Sequence, residues 1–191
     1  MVKKTTLRLT LTALFAALIA GGTFVVVPLP FTPVPVVLQN LFIVLSGLVL
    51  GPVLGTAAVL LFLIAGALGL PVLAGASGGI AHFAGPTGGF LAGYVLAAFT
   101  SGIIAGRPRA GTKTHLCRIV IAAALGFLAV YIPGVIWLFI WMKYIEHIDA
   151  TLLMAFAGGF FPFLIGDAVK LIIIAAFAGR LRRITADLLD E

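Results

Sequence analysis

Between Leu9 and Gly106 the chain contains no Asp, Glu, Lys or Arg. A soluble domain of that length needs charge on its surface, so this run must be a series of membrane spans joined by short uncharged loops. The remainder of the 191 residues agrees, because only 9% of the chain is charged and 62% is hydrophobic, against about 25% charged in ordinary soluble domains. An all-α integral membrane protein is expected. The single Cys117 excludes a disulfide framework within the chain, and no Cys/His spacing points to a metal site, so the expected metal content is none. The basic start MVKKTTLR is followed by an apolar run to Val27 without a clear cleavage site, so it reads as a retained first helix.

The net charge of +6 is not spread over a soluble face. It sits in three clusters beside apolar stretches: Lys3, Lys4 and Arg8; Arg107, Arg109, Lys113 and Arg118; Arg180, Arg182 and Arg183. Without interleaved aromatics this pattern argues against nucleic acid and for membrane orientation, since cytoplasmic loops carry excess Lys and Arg. Proline and glycine divide the apolar mass into six helices, at 7–27, 36–50, 53–70, 89–106, 115–142 and 151–179, within one transmembrane domain over 1–191. Six spans put all three clusters on one side, with both termini cytoplasmic.

Two connections on the other side stand out. PLPFTPVPV over 28–36 carries alternating prolines and reads as stiff and extended, and the glycine-rich 71–89 segment is too polar to span. Together they are expected to cap a cavity. Small residues recur every fourth position, as in Gly47, Gly51 and Gly55, a spacing that lets helices approach closely. For most rows the ordinary expectation is packing within the chain. The row Ala13, Ala17 and Gly21 on the first helix is the exception, a smooth face suited to docking another protein.

Asp167 and Lys170 lie three residues apart in FPFLIGDAVK and share a helix face with Phe163 and Ile174. Charge within a span is costly and belongs at a cavity or in a pair, so the choice is between a ligand site and a structural ion pair. His82 in the glycine-rich loop is either an interfacial side chain or a ligand contact. Gln39 and Asn40 open the second helix as a cap or as ligand contacts. Tyr131, the deepest of the aromatics on the fifth helix, precedes Pro133 and is the one expected to turn inward. No nucleotide loop, metal-protease or serine-hydrolase motif is present, so binding without chemistry and without a cofactor is the simpler reading.

The ordered segments PVPVVLQNLFIVLSGLVLGPVLG, GLPVLAG, GPTGGF, YIPGVIWL and FPFLIGDAVK resemble the BioY family, the biotin-specific S components of energy-coupling factor transporters. The likeness extends over nearly all of residues 10–180. It implies a six-helix S component in a prokaryotic cell membrane that takes biotin from outside and works with a transmembrane coupling protein and an ATPase pair. It also implies that Ala13 and Ala17 dock on the coupling protein. Asp167 and Lys170 would match the ureido N–H groups and carbonyl of biotin, or Lys170 the valerate carboxylate. Ser77 in GASGG stands where relatives carry an unbroken glycine run, and its contact with substrate is carried over from the family. The alternatives are a solitary carrier without an ATPase, an S component for another small vitamin, and an intramembrane enzyme using the Asp/Lys pair.

Overall fold

The computed structural model describes residues 2–190 and the side chains of residues 4–189; Lys3 of the first basic cluster lies outside the described side chains. Helix α1 spans Val2–Gly22, α2 Gln39–Ala67, α3 Ala81–Ala84, α4 Gly88–Ala105, α5 Leu116–Ile140, α6 Leu152–Gly159 and α7 Phe161–Asp190. Among the described residues five helical stretches are long and apolar enough to cross a membrane, and one of these, α2, is two spans. At Gly51 the backbone leaves helical geometry (φ 81°, ψ 177°), and Pro52 follows. The chain reverses there. Ser46 donates to the carbonyl of Gly55 at 3.2 Å, and a Cβ added to Gly55 would stand 2.6 Å from the Cα of Gly47, which a straight helix could not allow. The bundle therefore has six spans, counting α6 and α7 as one. The first half of α2, residues 39–50, rises only about 18 Å and cannot cross a hydrocarbon core of about 30 Å alone. It is almost wholly buried among its neighbours instead.

Several helix boundaries differ from expectation. The first helix ends at Gly22 rather than Val27, because Val26 and Val27 pair with Val37 and Val36 in a short antiparallel hairpin, β1 with β2. The same pairing delays the second helix to Gln39, so the proline loop, expected to be extended, is the tip of a β-hairpin with a turn at 30–31 and a bend at 33–34. The last span, expected as 151–179, is interrupted at Phe160 (φ −130°, ψ −62°) and continues to Asp190. Thr151 caps its start by accepting from the amide of Met154, and Pro162 sits in the first turn of α7, where its missing N–H costs no intrahelical bond. One π-helical turn, Trp141–Ile145, ends α5.

Helix α4 is held between α2 and α5. Its glycines make this possible: a Cβ on Gly89 would meet the Pro133 carbonyl oxygen at 2.3 Å, one on Gly93 the Val130 carbonyl oxygen at 2.5 Å, and one on Gly102 the Cα of Pro52 at 2.6 Å. These rows are internal packing. The first-helix row is different, since Ala13, Ala17 and Gly21 are exposed and a Cβ on Gly21 would meet nothing within 4 Å.

At the end that carries the basic clusters, Arg182 of α7 is buried. It donates to the carbonyl oxygens of Leu48, Ala105 (3.0 Å) and Gly106 (2.9 Å) and to the hydroxyl of Thr114 (3.2 Å). One guanidinium thus satisfies carbonyls that the ends of two other helices leave without intrahelical partners.

The close approach of α2 to α4 yields a test. A Cβ on Gly47 would fall 2.1 Å from the carbonyl oxygen of Ala98 and 2.4 Å from Ser101 Oγ, so Gly47→Ala must push two backbones apart. The expected loss is about 1–3 kcal/mol, read as a lower melting midpoint in detergent. Gly21→Ala, with open space around it, serves as the control and should melt like the parent; equal midpoints for both variants would refute the close contact.

Candidate functional site

At the end opposite the basic clusters lies a cavity of about 310 Å³. Pro33, Val34, Pro35 and Val37 of the hairpin form one wall, and Leu73, Ala74, His82 and Gly85–Thr87 of the glycine-rich loop form another. Helices close the rest: Gln39 and Asn40 from α2, Phe90, Leu91 and Tyr94 from α4, Tyr131 from α5 and Phe163 from α7. The two connections opposite the basic clusters do meet over one cavity.

The loops are fastened to the bundle by hydrogen bonds. Gln39 Nε2 donates to the hydroxyl of Thr23 and, at 3.1 Å, to the carbonyl of Val72, while Thr23 donates to the same carbonyl. The end of α1, the start of α2 and the glycine-rich loop are thereby joined at one point. Trp137 Nε1 donates to the Gly85 carbonyl at 2.8 Å, which ties the far side of that loop to α5. Ser77 does not line the cavity: its hydroxyl donates to Ala74 at 2.7 Å, and it pairs with Leu73 across a tight turn in which Gly75 and Ala76 have positive φ. Its role is to shape the loop that carries Ala74.

Asp167 and Lys170 are both buried, at 6% and 4% exposure, and form an ion pair of 3.0 Å through Lys170 Nζ and Asp167 Oδ1. Tyr131 donates its hydroxyl to Asp167 Oδ2. Both carboxylate oxygens are thus engaged. The pair lies behind Tyr131 rather than on the cavity wall, and Tyr131 is the link between cavity and charge. Its ring is held edge-on by Phe90 and Phe160, with centroids 6.4 Å and 4.9 Å away.

Of the residues named from sequence, Gln39, His82 and Tyr131 stand on the wall, Asp167 and Lys170 stand one residue behind it, and Ser77 supports a loop. Asn40 deserves equal weight with Gln39, because it lines the cavity and its buried Oδ1 has no hydrogen-bond partner among the described residues. An acceptor left bare in such a site costs about 1–3 kcal/mol unless a ligand or water donates to it. Phe90 and Tyr94 were not anticipated. Their spacing of four residues places them on one face of α4, yet aromatics in an apolar helix read as packing, and only the shared cavity distinguishes them. Among the described residues no group of three His, Cys, Asp or Glu could hold a metal ion.

A largely apolar cavity with a few convergent polar groups has the form of a small-molecule site. The comparisons with known proteins agree with that form and extend over the whole bundle. The chain is 38% identical to the probable biotin transporter BioY of Pyrococcus horikoshii over 175 residues, covering 92% of this chain and 96% of that one. It is 42% identical over 179 residues to the biotin transporter BioY of Rhodobacter capsulatus, covering 90% of each. A crystal structure of the S-component for biotin from an ECF-type ABC transporter superposes with a TM-score of 0.78 at 32% identity, over 92% of this chain and 90% of that one. The model of the BioY family matches residues 1–187, and this chain therefore belongs to the BioY family.

Proposed function

We propose that the chain is a biotin-binding membrane subunit that captures biotin from outside the cell for uptake by an ATP-driven transporter of the energy-coupling factor type. The observation that carries this reading is the cavity itself, where apolar and aromatic walls meet the unpartnered Asn40 Oδ1 and, behind Tyr131, the Asp167–Lys170 pair. Biotin presents the complement: two ureido N–H donors, one carbonyl acceptor, an apolar bicycle with its chain, and a terminal carboxylate. Asn40 and Asp167 would accept from the ureido N–H groups, and Lys170 would donate to the ureido carbonyl or the carboxylate. Gln39 and His82 complete the polar wall, and Ser77 holds its loop in shape. For a ligand to reach the charged pair, the Tyr131 hydroxyl must yield its bond to Asp167. The chain acts as a transport subunit rather than an enzyme and needs no cofactor; biotin is its substrate.

A partner would supply the energy, since the chain has no nucleotide loop. The exposed Ala13, Ala17 and Gly21 face supports a transmembrane coupling protein joined to an ATPase pair. Close helix approach is the main contribution small residues make to association in lipid. Both termini would lie in the cytoplasm with the basic clusters, so that the cavity opens outward.

Three measurements test these assignments. For orientation, a cysteine at Arg109 should be labelled from the cytoplasmic side alone and one at Asp149 from outside alone; the reverse pattern would overturn the proposed sidedness. For docking, Ala13→Trp with Ala17→Trp should abolish assembly with the coupling protein while biotin affinity persists, and loss of both together would show that the face is not specific to docking.

The charged pair is the strictest case. Asp167→Asn and Lys170→Met should each weaken biotin binding by on the order of 2–5 kcal/mol, because each removes a charged partner and strands the other charge. In the double variant no buried charge is unpaired, so the protein should recover its melting midpoint yet remain unable to bind biotin in calorimetry. A stable double variant with parental affinity would remove both residues from the site.

A further inference from the structure

At the basic end, the loop over 106–115, the start of α5 and α7 enclose a pocket of about 360 Å³. Its cations are Arg107, Arg109, Lys113, Arg118 and Arg182, and among the described residues no carboxylate lines it, the nearest being Asp187 beside Arg109 and Lys113 in an adjoining pocket. A topology signal requires only charge near the membrane surface. Here the charge is arranged. Arg118 donates from Nε to the carbonyl of Ile104 at 2.6 Å, which fixes the side chain and leaves its terminal N–H groups for another acceptor. Guanidinium groups that crowd one cavity repel each other, and an anion with several oxygens relieves that repulsion through charge-assisted hydrogen bonds.

A second pocket of about 380 Å³ adjoins the first, sharing Arg107 and Arg109 and adding Arg8. Its other walls are apolar: Leu50, Val53, Leu54 and Leu189. A ligand that fills both pockets needs an anionic head and a hydrocarbon tail. Free phosphate satisfies only the first, and an acidic protein segment leaves the apolar wall of the second uncovered.

We propose that these adjoining pockets hold one anionic phospholipid of the leaflet on the basic side. Its phosphodiester lies against Arg107, Arg109 and Arg118, and the first carbons of an acyl chain lie along Val53 and Leu54. Basic pockets between spans on the cytoplasmic side are suited to such headgroups, with each Lys or Arg near the surface adding to the attraction. Bound there, the lipid bridges the reversal of α2, the loop between α4 and α5, and the end of α7.

The test uses the full chain, purified in neutral detergent and stripped of lipid, with phosphatidylglycerol, phosphatidylcholine or inorganic phosphate added. Native mass spectrometry should show one phosphatidylglycerol retained, and the melting midpoint should rise with that lipid alone. Arg107→Gln with Arg109→Gln, both exposed positions, should weaken the response to phosphatidylglycerol by roughly tenfold or more, while the lipid-free midpoint stays near the parental value. If that variant does not fold, Arg118→Gln supplies the same readout. An equal response to phosphatidylcholine would overturn the proposal, as would an equal response to inorganic phosphate, which would mark a small-anion site. Undiminished lipid retention in the variants, with loss only of assembly with the coupling protein, would assign the pocket to a protein partner and overturn it as well.

Discussion

The fold depends on backbones that approach one another more closely than any side chain allows. Helix α4 meets α2 where Gly47 faces the Ala98 carbonyl and Gly102 faces Pro52, and it meets α5 where Gly89 and Gly93 face Pro133 and Val130. In lipid there is no water to drive helices together, so contact of this kind must supply much of the attraction. The same glycines position the site. With Gly89 and Gly93 against α5, the neighbouring Phe90 and Tyr94 are turned toward the cavity, and Phe90 rests on Gly134, where a Cβ would stand 2.5 Å from its ring.

A second constraint is the need to satisfy backbone polar groups where water is scarce. The reversal at Gly51 and Pro52 shortens two spans, and the turn is buried among its neighbours, where free carbonyls are costly. Arg182 meets that cost by donating to Leu48, Ala105 and Gly106. Its positive charge also suits the negative ends of those helices. Near the cavity the polar groups are arranged differently, because Asp167 is already answered by Lys170 and Tyr131 while Asn40 Oδ1 is not. Around Arg182 the chain's own bonds close the polar groups, whereas at the cavity Asn40 Oδ1 retains an open valence.

How much of this was legible in the sequence follows from which forces leave a local trace. Six spans could be read because hydropathy and proline mark them directly, even where Gly51 and Pro52 join two of them without a loop. The ends of the first and last spans could not. Val26 and Val27 look like helix to a hydropathy window, and only their partners Val36 and Val37, beyond four intervening prolines, make them a strand. The break at Phe160 likewise has no strong signal, since glycine and proline flank it but apolar character runs straight through. In the site, Asp167 and Lys170 were visible because buried charge needs a reason. Phe90 and Tyr94 were hidden because a buried aromatic does not, and Ser77 could be placed on the loop but its bond to the Ala74 carbonyl, off the cavity lining, could not be seen.

Helix α7 joins the two ends of the bundle. Phe163, Asp167, Lys170, Ile174, Ala178, Arg182 and Thr185 are all buried, and they follow one another at intervals of three or four residues, so they form a single inward stripe. The stripe starts at the cavity wall and ends at the clamp on α2 and α4, with Asp167 and Arg182 about 22 Å apart along the axis at 1.5 Å per residue. Charge occurs in it only at the two levels where other elements supply partners: Tyr131 beside Asp167, and the carbonyl ends of α2 and α4 beside Arg182. Between those levels Ile174 and Ala178 are small enough and apolar enough to pack without polar relief. The greasy helix can carry charge because its charged residues are spaced to arrive where the bundle has something to offer them.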